Sequence, residues 1–225
     1  MPVRKKLTAH IVPFLAFAAL LLLNSALRKI DNQLWLTLPE YWTYPVQTFL
    51  CGALLISFRP AYDLGWPRKI GFAVLVAIVV FVIWISPQAI LGFPRRTVGF
   101  NPFLLFNQSS PLYWIELILR FARLVVVVPF VEEIFWRGFL LRYLIDENFE
   151  RIGIGAFSWF SFVVVTIGFA LSHSPADWPV AVVAGGLYNI VAYRTKSLAS
   201  CILAHAFTNL LLGCWIMQTK QWGFW

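Results

Sequence analysis

Charge is scarce in this chain of 225 residues. Only 12% of the residues are Asp, Glu, Lys or Arg, whereas 60% are hydrophobic and the mean hydropathy is +0.75. A soluble globular domain carries about 25% charged residues, so this composition excludes an ordinary soluble enzyme or binding module. The sequence instead predicts a protein that is embedded in a membrane.

Histidine and cysteine are also few, with three residues of each. Cys51, Cys201 and Cys214 all fall inside apolar runs and lack the spacing of a metal site, so we expect packed or lipid-facing side chains. We expect no metal and no organic cofactor. The net charge of +8 comes from basic residues at helix ends, which set orientation in a bilayer, and we expect no nucleic acid partner.

Apolar runs that approach the roughly 20 residues of a bilayer span recur along the chain. They predict an all-α, polytopic transmembrane bundle of about seven to eight helices. The count is eight if the longest run breaks in two at Pro129. The basic residues favour a cytoplasmic N-terminus, and we expect a multi-pass protein of the cell (inner) membrane. The predicted spans are 7–27, 44–58, 70–93, 112–141, 152–172, 178–193 and 198–217.

The segment "PFVEEIFWRGFLLRYL", residues 129–144, places charges among apolar neighbours. A charge near the bilayer centre costs roughly 2.5–3.5 kcal/mol, so such groups face protein or water. Glu133 and Arg137 are four residues apart on one helix face and can neutralise each other. Glu132 lies about 100° around the helix without a partner on its own helix, which suits a general base. A structural ion-pair cluster is the alternative for this segment.

Two further runs carry polar groups. His173 follows Phe169 by one turn in "FALSH", and His205 precedes Asn209 by four residues in "HAFTN". His205 and Asn209 share a helix face, so their side chains project together. Three helices thus contribute to one polar intramembrane cavity. This set suits a water activated by Glu132 and His173, with hydrogen bonds from the other two side chains to the oxyanion of a tetrahedral intermediate.

These residues resemble the CPBP family, which comprises CAAX prenyl proteases and bacteriocin-processing relatives and is also called Abi-type. "EEIFWR" fits an E-E-x-x-x-R motif, "FALSH" fits F-x-x-x-H and "HAFTN" fits H-x-x-x-N, in the family's order within about residues 125–215. The resemblance implies an intramembrane glutamic endopeptidase with a conical cavity open to the membrane. Residues 1–225 then form a single membrane domain, with N-terminal transmembrane helices in 1–111 and a protease-like core in 112–217.

The resemblance also implies a role for each motif residue. Glu132 and His173 would activate the water, and His205 and Asn209 would form the oxyanion hole. The implied partners are membrane lipids, a protein or peptide substrate near the bilayer that is lipidated or cut near its C-terminus, and an exosortase-type sorting system. The implied supporting residues are Glu133, Arg137 and Phe169.

Three alternatives stay open. A metalloprotease could bind zinc through Glu and His, although the chain has no H-E-x-x-H motif. A non-catalytic immunity protein or sorting partner would use the polar cluster to hold helices or to dock a ligand. A transporter would use intramembrane acids and bases, but the chain lacks broken helices in two matching halves.

Overall fold

A computed structural model describes residues 3–30 and 34–225, and this part of the chain is helical without any strand. The predicted all-α helix bundle is therefore confirmed. Its α-helices are α1 (Val3–Leu27), α2 (Leu34–Thr37), α3 (Glu40–Phe58), α4 (Ile70–Ala89), α5 (Pro111–Ala122), α6 (Val128–Glu133), α7 (Leu141–Tyr143), α8 (Trp159–Leu171), α9 (Trp178–Thr195) and α10 (Leu198–Thr219).

Helices α5, α6 and α7 form one continuous helical segment, 111–143, which we call the composite helix. The residues that join them keep right-handed helical dihedrals, and two stretches, Arg123–Val127 and Ile134–Leu140, are π-helical. The helical segment does not break at Pro129, the possibility that would have given an eighth helix. Proline lacks the N–H that an α-helical turn needs, and the π-helical stretch Arg123–Val127 ends two residues before it.

The ends of the helices lie within four residues of the predicted spans, with one exception. The run predicted to begin at residue 152 becomes helical only at Trp159. Gly155 explains the difference, because it has a φ of 72° and a Cβ there would lie 2.1 Å from the carbonyl oxygen of Ala192. Only glycine fits this left-handed turn against α9, so the segment before Trp159 forms a loop.

Helix α10 lies inside the bundle and packs against α4, α9 and the composite helix. Its apolar window is 56% buried, whereas the corresponding windows of α1 and α4 are 28% buried. The outer helices therefore present most of their apolar surface outwards, as lipid contact requires. Among the described residues, three helical stretches are long and apolar enough to cross a membrane, namely Lys6–Leu27, Ile70–Ala89 and Leu198–Thr219.

Candidate active site

A cavity of about 320 Å³ lies between the composite helix and helices from both halves of the chain. Five motif residues line it, whereas the fully buried Glu133 and Arg137 lie outside the lining. The fold thus gathers polar groups from the composite helix, the end of α8 and α10 around one space. The motif residues of the lining are Glu132, Phe169, His173, His205 and Asn209.

Glu132 brings an unpartnered carboxylate to this cavity. The residue is only 7% exposed, and its Oε2 atom is buried without a hydrogen-bond partner among the described residues. It lies in the last turn of α6, two residues before the π-helical stretch Ile134–Leu140 begins. A buried carboxylate oxygen without a donor is unfavourable, so its presence needs an explanation. Glu132 is available to accept a hydrogen bond from a ligand in the cavity.

Glu133 differs from Glu132 in that one of its oxygens is held by two donors, while its Oε2 atom is also buried without a hydrogen-bond partner among the described residues. Its Oε1 atom accepts from Arg137 Nη1 at 3.0 Å and from His205 Nδ1 at 2.8 Å. The other nitrogens of Arg137 donate to α9, Nε to Asn189 Oδ1 at 3.0 Å and Nη2 to the Gly185 carbonyl at 2.9 Å. This buried network joins the composite helix, α9 and α10, and it fixes the orientation of the His205 ring.

The tautomer of His173 follows from its own hydrogen bond. Nδ1 lies 2.8 Å from the carbonyl oxygen of Phe169, one helical turn earlier. Because a carbonyl oxygen only accepts, Nδ1 must carry the proton, and Nε2 is the ring nitrogen left to act as an acceptor. The rings of Phe169 and Trp84 lie 4.7 and 5.3 Å from the imidazole and restrict its rotation.

His205 and Asn209 each keep one group for a ligand. Since Nδ1 of His205 bonds to Glu133, Nε2 is its remaining nitrogen, and the Tyr188 ring stacks on the imidazole with a centroid distance of 5.0 Å. Nδ2 of Asn209 donates to the Leu124 carbonyl at 2.9 Å, in the first π-helical stretch. An amide nitrogen has two N–H groups, so one donor of Asn209 remains.

Sequence reasoning missed two residues of this region. Asn189, the acceptor for Arg137, is an amide within an apolar helix, and Arg123 is a charge in the composite helix that lines the cavity. Polar residues inside predicted spans were the signal that could have found both. Over the part of the chain that the structure describes, no group of three His, Cys, Asp or Glu side chains is arranged to hold a metal ion.

One comparison with known proteins finds a match. Residues 114–211 match the family model described as "Type II CAAX prenyl endopeptidase Rce1-like", and this segment contains all three motifs, from Glu132 to Asn209. The chain matches no curated protein and no solved structure. The family match indicates a protease and, together with the apolar helices, a membrane protein. The match supports the resemblance stated from the motifs, because the segment that carries all three of them is similar to a CAAX-type protease family.

Proposed function

We propose that the protein is an intramembrane glutamic endopeptidase that cleaves a membrane-associated protein or peptide with a water activated by Glu132 and His173. One observation carries this proposal. The Glu132 carboxylate has an oxygen without a partner, and it lines the same cavity as a His173 ring whose Nε2 is free to accept a proton. A base needs such an unoccupied acceptor within reach of the water it activates.

In the proposed reaction, the water oxygen attacks the carbonyl carbon of the scissile peptide bond. Glu132 takes one proton from the water, and His173 Nε2 accepts a hydrogen bond that orients it. The tetrahedral intermediate then collapses, the C–N bond breaks, and the proton on Glu132 passes to the leaving amine. The products are a carboxylic acid and an amine, and both side chains return to their starting protonation states.

His205 and Asn209 stabilise the oxyanion of that intermediate in this mechanism. Asn209 donates its second amide N–H. His205 already donates Nδ1–H to Glu133, so donation from Nε2 requires the doubly protonated ring, whose positive charge the Glu133 carboxylate stabilises. A charged donor is the stronger choice for a developing negative charge. Removing a single donor of this kind reduces kcat by roughly 10²–10³-fold in other hydrolases.

The location of the cavity bears on the substrate. Its lining is shared by polar motif residues and apolar side chains of α1, among them Phe14, Phe17 and Leu21. This mixture suits a peptide held at the bilayer, lipidated or cut near its C-terminus. The remaining proposals are a multi-pass arrangement in the cell (inner) membrane, contact with membrane lipids, and an exosortase-type sorting system as partner.

The test compares new protein termini in membranes from cells that carry equal amounts of wild-type protein or Glu132→Gln. We expect termini that depend on the wild type and fall by roughly 10²–10⁴-fold in the variant, because the base is lost while the side-chain shape is kept. Glu116→Gln is the matched control, since Glu116 is a partly buried carboxylate of α5 that does not line the cavity. Identical termini from wild type and a folded Glu132→Gln protein would refute the peptidase and favour an immunity or sorting role.

A further inference from the structure

Two arginines of the composite helix are buried without an acidic partner. Arg120 is 2% exposed and Arg123 is 5% exposed, and neither forms a salt bridge with any residue that the structure describes. All three guanidinium nitrogens of Arg120 also lack a hydrogen-bond partner within that part of the chain. Burial of an unpaired guanidinium is strongly unfavourable, so these two charges need an explanation.

Aromatic rings surround both guanidinium groups. Tyr44 contacts both of them, with its ring centroid 4.2 Å from Arg120 Cζ and 4.4 Å from Arg123 Cζ. Trp225 adds a ring 4.9 Å from Arg120, and Phe17 adds one 5.2 Å from Arg123. The face of a ring attracts a cation but supplies no net negative charge. The rings therefore position two positive charges without neutralising them.

Arg123 reaches the catalytic cavity. It lines the same space as Glu132, and the two side chains are not in salt-bridge contact with each other. Its Nε atom donates to Gln47 Oε1, and Gln47 Nε2 donates in turn to the Phe17 carbonyl at 2.7 Å. Within the described residues, Nη1 and Nη2 of Arg123 have no hydrogen-bond partner. Gln47 thus fixes the guanidinium and leaves its terminal nitrogens for a ligand.

The cavity contains one other pair of opposite charges, which is already satisfied. Arg96 forms a salt bridge with Asp177, and both residues belong to the lining. The charged groups of the lining that are outside this salt bridge are the carboxylate of Glu132 and the guanidinium of Arg123. A ligand that fits this pattern brings a reactive group to Glu132 and a negative charge to Arg123.

We propose that Arg123 binds the C-terminal carboxylate of the peptide substrate, with Arg120 strengthening the positive potential behind it. This inference rests on the proposed function for the nature of the ligand. The backbone of an internal stretch of peptide brings no charge to Arg123, whereas a chain end always brings one carboxylate. The two oxygens of a carboxylate match the paired N–H groups of a guanidinium. A cavity of about 320 Å³ is the size that encloses a small ligand, which suits a short peptide end.

The test measures binding of a dansyl-labelled apolar peptide, prepared once with a free C-terminal carboxylate and once with a C-terminal amide. The protein carries Glu132→Gln and sits in phosphatidylcholine nanodiscs, so binding is measured without cleavage. We expect the acid to bind roughly tenfold or more tightly than the amide, because a charge-assisted hydrogen bond is lost with the amide. Adding Arg123→Gln should bring the ratio of the two affinities close to one, and Arg123→Lys should retain part of it.

Arg194→Gln is the matched control, because Arg194 is an exposed arginine in the last turn of α9 that does not line the cavity. It should keep the full ratio. Equal affinities for acid and amide would overturn the proposal, and so would an acid preference that survives Arg123→Gln. The comparison of acid with amide needs no arginine variant, so it stands even if Arg123→Gln fails to fold.

Two outcomes distinguish the carboxylate site from a lipid phosphate site and from the proposed peptidase activity. In the first outcome, phosphatidylglycerol copurifies with the protein but not with Arg123→Gln, and the acid and the amide peptides bind with equal affinity. This result would assign the site to a lipid phosphate and refute the carboxylate. An acid preference that depends on Arg123, found together with no Glu132-dependent cleavage, would support the carboxylate site and refute the peptidase. The failure of either proposal is therefore visible without the other.

Discussion

The composite helix carries two clusters of buried charge that differ in how they are neutralised. In the motif cluster, Glu133 receives hydrogen bonds from Arg137 and His205, and Arg137 donates to two further acceptors on α9. In the arginine cluster, Arg120 and Arg123 are surrounded by aromatic rings and have no acid in contact. In the motif cluster the opposite charges of Glu133 and Arg137 are paired, although Glu133 Oε2 has no hydrogen-bond partner among the described residues. The arginine cluster has a positive charge without such a pair.

This difference separates structural charge from charge that is kept for a ligand. A charge that is already paired gains little from a ligand, because its counter-charge is already in contact with it. Its function is to fix neighbouring groups, here the imidazole of His205. A buried positive charge without a counter-charge lowers the stability of the free protein, and binding of an anion restores that stability.

The largest effect is expected when the motif cluster loses its arginine. Arg137→Met leaves the carboxylate of Glu133 buried with His205 as its only remaining hydrogen-bond partner among the described residues, and we expect a loss of about 3–5 kcal/mol in unfolding free energy. Arg120→Met should cost less than about 1 kcal/mol, because no hydrogen bond or ion pair is lost with it. Unfolding of both variants in the same detergent measures the difference. Equal losses would show that the arginine cluster is as firmly compensated as the motif cluster.

Much of the fold could be predicted from local pattern. Apolar runs located the helices because the bilayer fixes their length, and the spacing of Glu133 and Arg137 brought them to one helix face. The same pattern could not locate the start of α8, because that depends on how Gly155 packs against Ala192. The local pattern did not reveal the π-helical stretches either, or that the Leu124 carbonyl in the first of them accepts a hydrogen bond from Asn209, 85 positions away.

The candidate site was predictable in composition but not in its contacts. Sequence motifs identified Glu132, His173 and His205, and these residues do line one cavity. Motif spacing could not show that His205 donates to Glu133, because the two residues are 72 positions apart and meet only when α10 packs on the composite helix. Arg123 was recognisable as a charge within a span, but its place in the cavity wall depends on Gln47 in α3. Contacts between distant helices are tertiary information.

A smaller effect is expected at the glycine that lets α9 approach the motif cluster. A Cβ at Gly185 would lie 3.0 Å from Phe169 Cδ1, and Gly185 also accepts from Arg137 through its carbonyl. We expect Gly185→Ala to cost about 1–2 kcal/mol in unfolding free energy and to lower peptidase activity, because a displaced Phe169 no longer holds His173.

The neighbouring glycine provides the control for this prediction. A Cβ at Gly186 would lie 3.7 Å from Phe162 Cζ, which is an ordinary contact distance. Gly186→Ala should be neutral or slightly stabilising, because alanine is the better helix former. Unfolding and peptide cleavage by both variants provide the test. If Gly185→Ala behaves like Gly186→Ala, the motif cluster has more room than the packing indicates.

The smallest effect is expected in the arginine cluster, at the ring that contacts both cations. Tyr44→Leu removes two cation–π contacts, and we expect it to cost about 1 kcal/mol in unfolding free energy. Tyr44→Phe keeps the ring and should cost less than half of that. Adding the peptide acid should stabilise both variants against unfolding more than the peptide amide does, because Arg123 keeps its charge in each of them. Equal stabilisation by acid and amide would place the surplus charge outside the substrate site, and the contrast between the two clusters would then reflect stability alone.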